Sequence, residues 1–185
     1  SMRVVLDHTW ALLAADGMEK GRAGLLARAA YFERTSNPVK AREKLTDVFR
    51  TVEAHRGALG GLFGPTLAKR ISWFRRGKRD DWELSLADAY RERGDYLRAA
   101  TFMYEAFVTR ACYTQKCDDA DAQSRDNAFN RARRKIPAVG QLKNLRNALA
   151  HGVRARGEDS DETTETTADE HSLRKLLKEL RNKLF

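Results

Sequence analysis

The sequence predicts an all-α protein on three observations. Strand signals are nearly absent, because Val4-Val5-Leu6 is the only β-branched run of note and it is short. Apolar residues recur with helical spacing through most of the 185 residues. Only three prolines occur, and each lies where a helix could begin. We therefore expect one helical-bundle domain over residues 3–185, with about seven to eight helices.

The first half of the chain divides into helical segments at clear start and stop signals. A short segment covers residues 9–15, and the next runs over 19–34. Asn37-Pro38 is typical of an N-cap followed by Pro at the first helical position. The helix that begins there carries the stripe Leu45, Val48, Phe49 and Val52 and is expected to stop at Gly60-Gly61. Gly64-Pro65 predicts a further helix to about residue 74, before a turn made by the basic run at 75–79.

The second half begins with a predicted pair of antiparallel helices. Asp80 or Asp81 caps a helix over 82–93, Gly94 ends it, and Asp95 caps the next over 96–113. A loop is expected over 116–126, then a strongly basic helix over 127–135 and another over 139–151. The segment 157–170 holds seven acids and no base, which favours a flexible acidic loop. An amphipathic helix over 172–184 should then dock on the body or on a partner chain.

The charge balance points to a polyanionic partner. Lys+Arg number 35 against 26 Asp+Glu, which gives a net charge of +9, and the sequence pI is about 9.8. Without the seven acids of 157–170 the net charge rises to +16. No apolar stretch has membrane length, and the N-terminus lacks a signal-peptide layout. Two cysteines do not make a disulfide framework, so we expect a cytoplasmic protein. Because no apolar stretch has membrane length, we expect no association with a membrane.

A candidate catalytic group lies in the segment Asn144 to Gly152. Arg146, Asn147 and His151 combine a guanidinium, an amide and an imidazole, which suit phosphodiester chemistry. The Arg-to-His spacing alone is uninformative, because three of the four histidines have it: Arg3–His8, Arg50–His55 and Arg146–His151. Only in the third does an amide, Asn147, follow the arginine, whereas Val4 follows Arg3 and Thr51 follows Arg50. Asn147 and His151 then share one helical face, opposite the leucines, so we expect the trio to face outward.

The sequence Arg146-Asn147-Ala-Leu-Ala-His151 resembles the R-[polar]-x-x-x-H signature of the HEPN ribonuclease superfamily. The stretch from Trp82 to Ala106 further resembles the C-terminal part of CRISPR-associated type III accessory ribonucleases, and the two likenesses together cover about residues 40–154. In that family a Rossmann-like domain that senses cyclic oligoadenylates precedes the HEPN domain. No alternating strand–helix pattern or glycine-rich ligand loop precedes Arg3 here, so we expect this chain to lack that N-terminal sensory domain. Cyclic oligoadenylate would then be a partner only through a sensory domain that this chain does not contain.

The resemblance implies a homodimer with a shared active site that cleaves single-stranded RNA without a metal or other cofactor. The ribose 2′-OH would attack the adjacent phosphate and leave 2′,3′-cyclic phosphate and 5′-OH ends, in type III CRISPR antiviral defence. Arg146 would stabilise charge on the phosphate, His151 would act as general acid or base, and Asn147 would orient either group. A phosphate backbone could be guided toward His151 by nearby cations: Arg131, Arg133, Arg134, Lys135 and Arg154.

Two other functions fit the same sequence. The chain could be a non-catalytic helical module for dimerisation or RNA binding, or the toxin of a HEPN toxin–antitoxin pair. No metal site is expected. Cys112 and Cys117 have no further Cys or His nearby, and no later acid completes a calcium loop after Asp118-Asp119.

Overall fold

The fold is all-α, as the sequence predicts. The structure is a computed structural model that describes residues 6–151, 166–167 and 169–185, with side chains from Thr9 onward. No strand occurs among these residues, nor does any of their helices combine the length and apolar character that crossing a membrane requires. The helices fall into two compact units, residues 1–78 and residues 79–185. The expected single domain over 3–185 remains a prediction.

Unit 1 contains four α-helices and one short 3-10 helix. They are α1 (Leu6–Ala15), α2 (Lys20–Arg34), α3 (Pro38–Ala54), α4 (Ala58–Ile71) and the 3-10 helix Ser72–Arg75. The core lies between α1, α2, α3 and α4, and its largest side chains include Leu26, Leu45, Leu67 and Ile71, each fully buried. The Asn37 side chain accepts from the N–H of Lys40, so the predicted N-cap of α3 is confirmed.

The start of α4 is capped by a residue from the end of α1. Gly57 occupies the N-cap position and has no side chain to accept a hydrogen bond. Instead, Asp16 Oδ2 accepts from the N–H of Gly60 at 2.7 Å and from His55 Nε2 at 2.9 Å. The amides of Gly60 and Leu59, followed by His55, lower the pKa of the Asp16 carboxyl. A β-carbon on Gly57 would lie 2.1 Å from this carboxylate, so only glycine fits there.

The predicted break between α3 and α4 is wrong in position. Gly60 and Gly61 lie in the first turns of α4, and Pro65 lies inside that helix and does not begin it. Because Asp16 supplies the cap, the helix can start at Ala58, before the glycines. The missing N–H of Pro65 leaves the Gly61 carbonyl without its helical donor, but both residues are exposed and water can supply one.

Unit 2 is built around one long buried helix. Its helices are α5 (Arg79–Glu92), α6 (Tyr96–Gln115), α7 (Ala122–Arg133), α8 (Pro137–His151) and α9 (Glu170–Leu184). Helix α6 packs against each of the others. The α5–α6 turn is confirmed, because Gly94 has φ +78° and Asp95 accepts from the N–H of Arg98. The first turn of α5 contacts the end of α6 through Asp80 and Arg110, so this pair is antiparallel, as predicted.

A buried polar network joins α5, α6 and α7. Glu83 is fully buried and accepts from Arg79 Nε at 2.8 Å and from the Thr109 hydroxyl at 2.7 Å. Arg125 of α7 donates to the same hydroxyl and pairs with Glu105 at 2.6 Å. Burial raises the pKa of the Glu83 carboxyl, although Arg79 and Thr109 oppose that rise. The network satisfies groups that would otherwise be costly to bury, and it fixes α7 on α6.

Several predicted boundaries in unit 2 shift. The loop expected over 116–126 is shorter, because Asp121 caps α7 by accepting from the N–H of Ser124 at 2.7 Å. The basic helix therefore runs over Ala122–Arg133, which leaves Lys135 beyond its end. The turn expected at 75–79 is also shorter, since Arg79 already belongs to α5. In the acidic segment, Asp169 caps α9 and Glu170 lies within it, while most of 157–168 lies outside the described residues.

The C-terminal helix docks on the body of unit 2. Helix α9 packs on α6 and α8 through buried leucines at 173, 177 and 180. Arg181 donates to Asp88 of α5 at 2.8 Å, which adds an ion pair at the rim of that contact. Of the two docking alternatives, the structure therefore shows the body of the same chain.

Candidate functional site

Helix α8 presents the predicted catalytic residues on two different sides. Its inner face buries Ala138, Val139, Leu142 and Leu145. Gly140, Asn144, Asn147 and His151 follow one another at three- or four-residue spacing, so they form one stripe on the opposite face. His151, the last residue of α8, is exposed, and Asn147 is partly buried one turn before it. The outward placement of these two residues agrees with the sequence.

Arg146 lies on the flank of α8 and is partly buried. Successive helical residues are about 100° apart, so its side chain leaves the helix well away from the Asn147–His151 stripe. The guanidinium carbon lies 4.8 Å from the ring centroid of Tyr104 on α6. This geometry is a cation–π contact. The structure thus differs from a fully outward trio, because an aromatic face on a neighbouring helix holds the arginine.

An aromatic pair supports the cations of α8. The rings of Tyr104 and Phe129 lie 5.1 Å apart, and Phe129 comes from α7. Lys143 places its Nζ 5.4 Å from the Phe129 centroid, so each ring faces one cation of α8. Phe129 is almost fully buried at 3% exposure, which anchors the pair in the unit 2 core. Both cations are therefore set by packing between three helices, which restricts where they can reach.

The phenol of Tyr104 remains protonated at neutral pH. Burial, followed by the nearby carboxylate of Glu105, raises its pKa, and Arg146 lowers it only in part. A neutral phenol beside a guanidinium is a hydrogen-bond donor or acceptor with no charge of its own. Tyr104 therefore supports Arg146 without neutralising it.

Seven of the twelve described arginines of unit 2 pair with carboxylates, but several near α8 do not. Ion pairs with Asp or Glu engage Arg79, Arg91, Arg98, Arg110, Arg125, Arg174 and Arg181. Within the part of the chain that the structure describes, no such pair engages Arg146, Arg131, Arg133 or Arg134. A guanidinium without a carboxylate keeps its full attraction for an anionic ligand. These four arginines lie on or directly next to α7 and α8.

Three of the predicted RNA-binding residues line one pocket. Arg131, Arg133 and Arg134 surround it together with Asn127 and Asn130, and its volume is about 470 Å³. Arg133 Nε lies 3.7 Å from the place where a β-carbon on Gly140 would stand, so the pocket adjoins α8. Lys135 is exposed just past α7. Arg154 lies outside the described residues.

The structure adds residues that the sequence interpretation missed. Tyr104 could not be found from the α8 motif, because it lies 42 positions earlier in the chain and meets Arg146 only through packing. Asn144 had a signal, since it precedes Asn147 by three residues on the same face. Asn127 and Asn130 already lie within the predicted basic helix, but its cationic pattern gave no reason to group them with the arginines, whose pocket they line.

The remaining candidate groups are two cysteines and three histidines. Cys112 is buried, and burial together with Cys117 raises its pKa to about 11, so it is a poor nucleophile at neutral pH. Among the described residues no three His, Cys, Asp or Glu side chains are grouped to hold a metal ion. His55 pairs with Asp16 at the start of α4. The side chain of His8 lies outside the described ones, and His171 is exposed on α9.

Comparisons of the chain with profiles of known protein families, with curated proteins and with solved structures find no match. The site must therefore be judged on its own chemistry. It offers an exposed imidazole, an amide one turn away, a guanidinium held on a ring and a separate basic pocket. Imidazole can exchange protons near neutral pH, and guanidinium binds phosphate oxygens in a bidentate manner. These groups suit the binding of a phosphodiester.

Proposed function

We propose that this chain is a HEPN-type endoribonuclease domain that cleaves single-stranded RNA without a metal ion. The observation that best supports this function is the state of Arg146. It is partly buried, held 4.8 Å above the Tyr104 ring, and without a carboxylate partner among the described residues. Arg125 of α7, by contrast, is paired with the Glu105 carboxylate. Asn147 and the exposed His151 follow Arg146 on the same helix.

The reaction is an internal transfer at one phosphate of the RNA. The ribose 2′-oxygen forms a bond to the adjacent phosphorus, and the bond from phosphorus to the 5′-oxygen breaks. An imidazole accepts the 2′ proton, and a protonated imidazole gives a proton to the leaving 5′-oxygen. The products are a 2′,3′-cyclic phosphate and a 5′-OH. Arg146 stabilises the charge that builds on the equatorial oxygens, and Asn147 orients the phosphate or the imidazole.

Two copies of the chain complete this site. One imidazole cannot accept and donate a proton in the same step, whereas two related by a two-fold axis supply a base and an acid. The exposed position of His151 at the end of α8 leaves it accessible to a second copy. Activity should therefore depend on protein concentration in the range where dimers form. In type III CRISPR defence, a sensory domain would control that pairing.

The test compares two exposed histidines of unit 2. His151→Ala removes the proposed acid or base, and His171→Ala removes an exposed imidazole from α9 as the matched control. With single-stranded RNA in EDTA, we expect the first change to lower the cleavage rate by about 10²-fold or more and the second to leave it unchanged. Mass spectrometry should find 2′,3′-cyclic phosphate ends, and DNA of the same sequence should stay intact. Undiminished cleavage by a folded His151→Ala protein would refute the assignment.

A non-catalytic RNA-binding module is the second candidate, because the basic pocket beside α7 lies apart from His151. Arg133 of the pocket adjoins Gly140 of α8. Gly140 precedes His151 by eleven residues, which is about 16 Å along the helix. Binding there needs no chemistry at the end of α8. The wild-type chain would then bind single-stranded RNA and produce no cyclic phosphate at any protein concentration.

A further inference from the structure

The outer face of α7 contains a pocket whose lining differs from the rest of unit 2. Five side chains surround about 470 Å³: two amides, Asn127 and Asn130, and three guanidiniums, Arg131, Arg133 and Arg134. Pockets that hold a small molecule or one building block of a polymer measure about 300–1,000 Å³. The volume is thus sufficient for one nucleotide. The described lining contains no carboxylate and no large apolar side chain, so it favours a polar anion.

The three guanidiniums repel one another unless an anion lies between them. Among the described residues none of the three has an ion pair, although Arg125, on the same helix, is paired with Glu105 at 2.6 Å. Exposed like charges at this spacing destabilise a helix slightly, so the arrangement brings no gain to the fold itself. A phosphate group, which accepts bidentate hydrogen bonds from arginine, relieves the repulsion.

The two amides can contact a base. Asn127 and Asn130 lie three residues apart and therefore on the same side of α7. Gln123 Nε2 donates to Asn127 Oδ1 at 3.3 Å, which holds that amide from the preceding turn. An asparagine side chain has a donor and an acceptor, and it pairs with the edge of an unstacked base. Adenine presents the matching pattern at N6 and N7.

We propose that this pocket is a nucleotide subsite, in which the arginines bind a phosphate and the asparagines contact the attached base. Its position beside Gly140 sets it about 16 Å along α8 from His151. The subsite therefore takes a nucleotide several positions from the phosphate that reacts, so it favours substrates long enough to span both places. The choice of RNA as the ligand rests on the proposed function, whereas the pocket itself does not involve His151.

Two variants with equal charge change separate this subsite from general attraction. The pocket variant carries Arg131→Gln, Arg133→Gln and Arg134→Gln. The control carries Lys175→Gln, Lys178→Gln and Lys183→Gln, which removes three exposed cations from α9. The probe is fluorescent single-stranded RNA with 2′-O-methyl groups, which block the nucleophile, so binding is measured without cleavage. One probe has about twelve nucleotides and the other about three, and circular dichroism checks that both proteins fold.

We expect the pocket variant to bind the long RNA about tenfold more weakly and the control to bind within about twofold of wild type. The slope of log affinity against log salt should become shallower by about 0.7 for each RNA phosphate that the variant no longer neutralises. The short probe cannot span the pocket and the end of α8 together, so it should bind wild type more weakly than the long probe and lose less affinity in the pocket variant. Asn130→Ala should reduce the preference for adenine-rich over uracil-rich RNA while leaving the salt slope unchanged, because it removes a hydrogen bond to a base and no charge.

Equal losses of affinity in the two triple variants would overturn the subsite, because they would show attraction by net charge alone. Competition by an acidic peptide as strong as that by RNA of equal charge would overturn it as well, in favour of a protein partner. The two proposals can fail separately. If the pocket variant binds and cleaves RNA as wild type does, the subsite proposal is wrong and the ribonuclease proposal stands. If RNA binding depends on the pocket but the chain never cleaves RNA, the subsite proposal stands and the ribonuclease proposal is wrong.

Discussion

Replacement of Tyr104 tests whether the aromatic ring holds Arg146 in a productive position. Tyr104→Leu removes the ring beneath the guanidinium, and Tyr104→Phe keeps the ring and removes only the hydroxyl. The contact measures 4.8 Å from Cζ to the centroid, and both side chains are partly buried. A cation–π contact contributes about 0.5 kcal/mol where exposed and about 2 kcal/mol where desolvated. If that energy orients Arg146 in the transition state, Tyr104→Leu lowers kcat by about 2- to 30-fold.

The assay is single-turnover cleavage of RNA, with KM measured separately and thermal unfolding followed on the same proteins. Tyr104→Leu also removes the aromatic packing against Phe129, which contributes about 0.5–1.5 kcal/mol, so its Tm should fall as well. Tyr104→Phe should cleave within about twofold of wild type, because the ring face beneath Arg146 is retained. Full activity in a folded Tyr104→Leu protein would refute the positioning role. Equal reduction of activity in both variants would assign the effect to the hydroxyl.

Two further predictions concern stability. Glu83→Ala should destabilise unit 2 by about 1–3 kcal/mol, because Arg79 Nε and the Thr109 hydroxyl lose their buried acceptor while Arg79 keeps its pair with Asp119. The exposed Glu92→Ala on the same helix should lower the free energy of unfolding in urea by at most about 0.5 kcal/mol. The pKa of Asp16 is lower in the folded protein than in the unfolded chain, so the unfolded chain takes up a proton more readily. The stabilisation that this carboxylate gives the fold is therefore fully present above the ordinary carboxyl pKa, and it is lost as the pH falls through the lowered value. The difference in unfolding midpoint between wild type and Asp16→Ala should therefore shrink in acid, and a difference that stays constant with pH would contradict the capping role.

Local sequence patterns were sufficient to predict most helices, because the groups that fix where those helices begin and end are close in sequence. Asn37 caps α3 through an amide three residues away, and Asp95 does the same for α6. Gly94 supplies the left-handed conformation that ends α5. In each case the donor, the acceptor and the backbone angle lie within a few residues, so a short stretch of sequence contains the whole interaction.

The start of α4 was predicted at the wrong residue because its cap is distant in sequence. Its cap is Asp16, which lies 44 residues before Gly60, the residue whose N–H it accepts. No local pattern contains both partners, and the local pattern that does exist, Gly64-Pro65, favours a start at the wrong place. The glycines that look like helix breakers are required here by close approach, since β-carbons on Gly57 and Gly60 would overlap Asp16 and His55. Tertiary contacts therefore override propensity wherever the cap comes from another helix.

The same distinction applies to the site. Helical periodicity alone placed Asn147 and His151 on one face, because both belong to α8. It could not show that Arg146 lies against Tyr104, since that contact depends on how α6 and α8 pack. Composition is equally limited, because the 24 arginines of the sequence have the same formal charge whether or not a carboxylate neutralises them.

The net charge of +9 is therefore a poor measure of where an anion binds. Where Asp and Glu pair with arginines along α5, α6 and α9, the field of each pair falls off quickly and attracts little. Around α7 and α8 the guanidiniums other than that of Arg125 lack such partners among the described residues, and unpaired charges produce a stronger local field. A polyanion should then contact this surface first even at moderate salt. For that reason the removal of three arginines at the pocket should weaken RNA binding more than the removal of three lysines on α9.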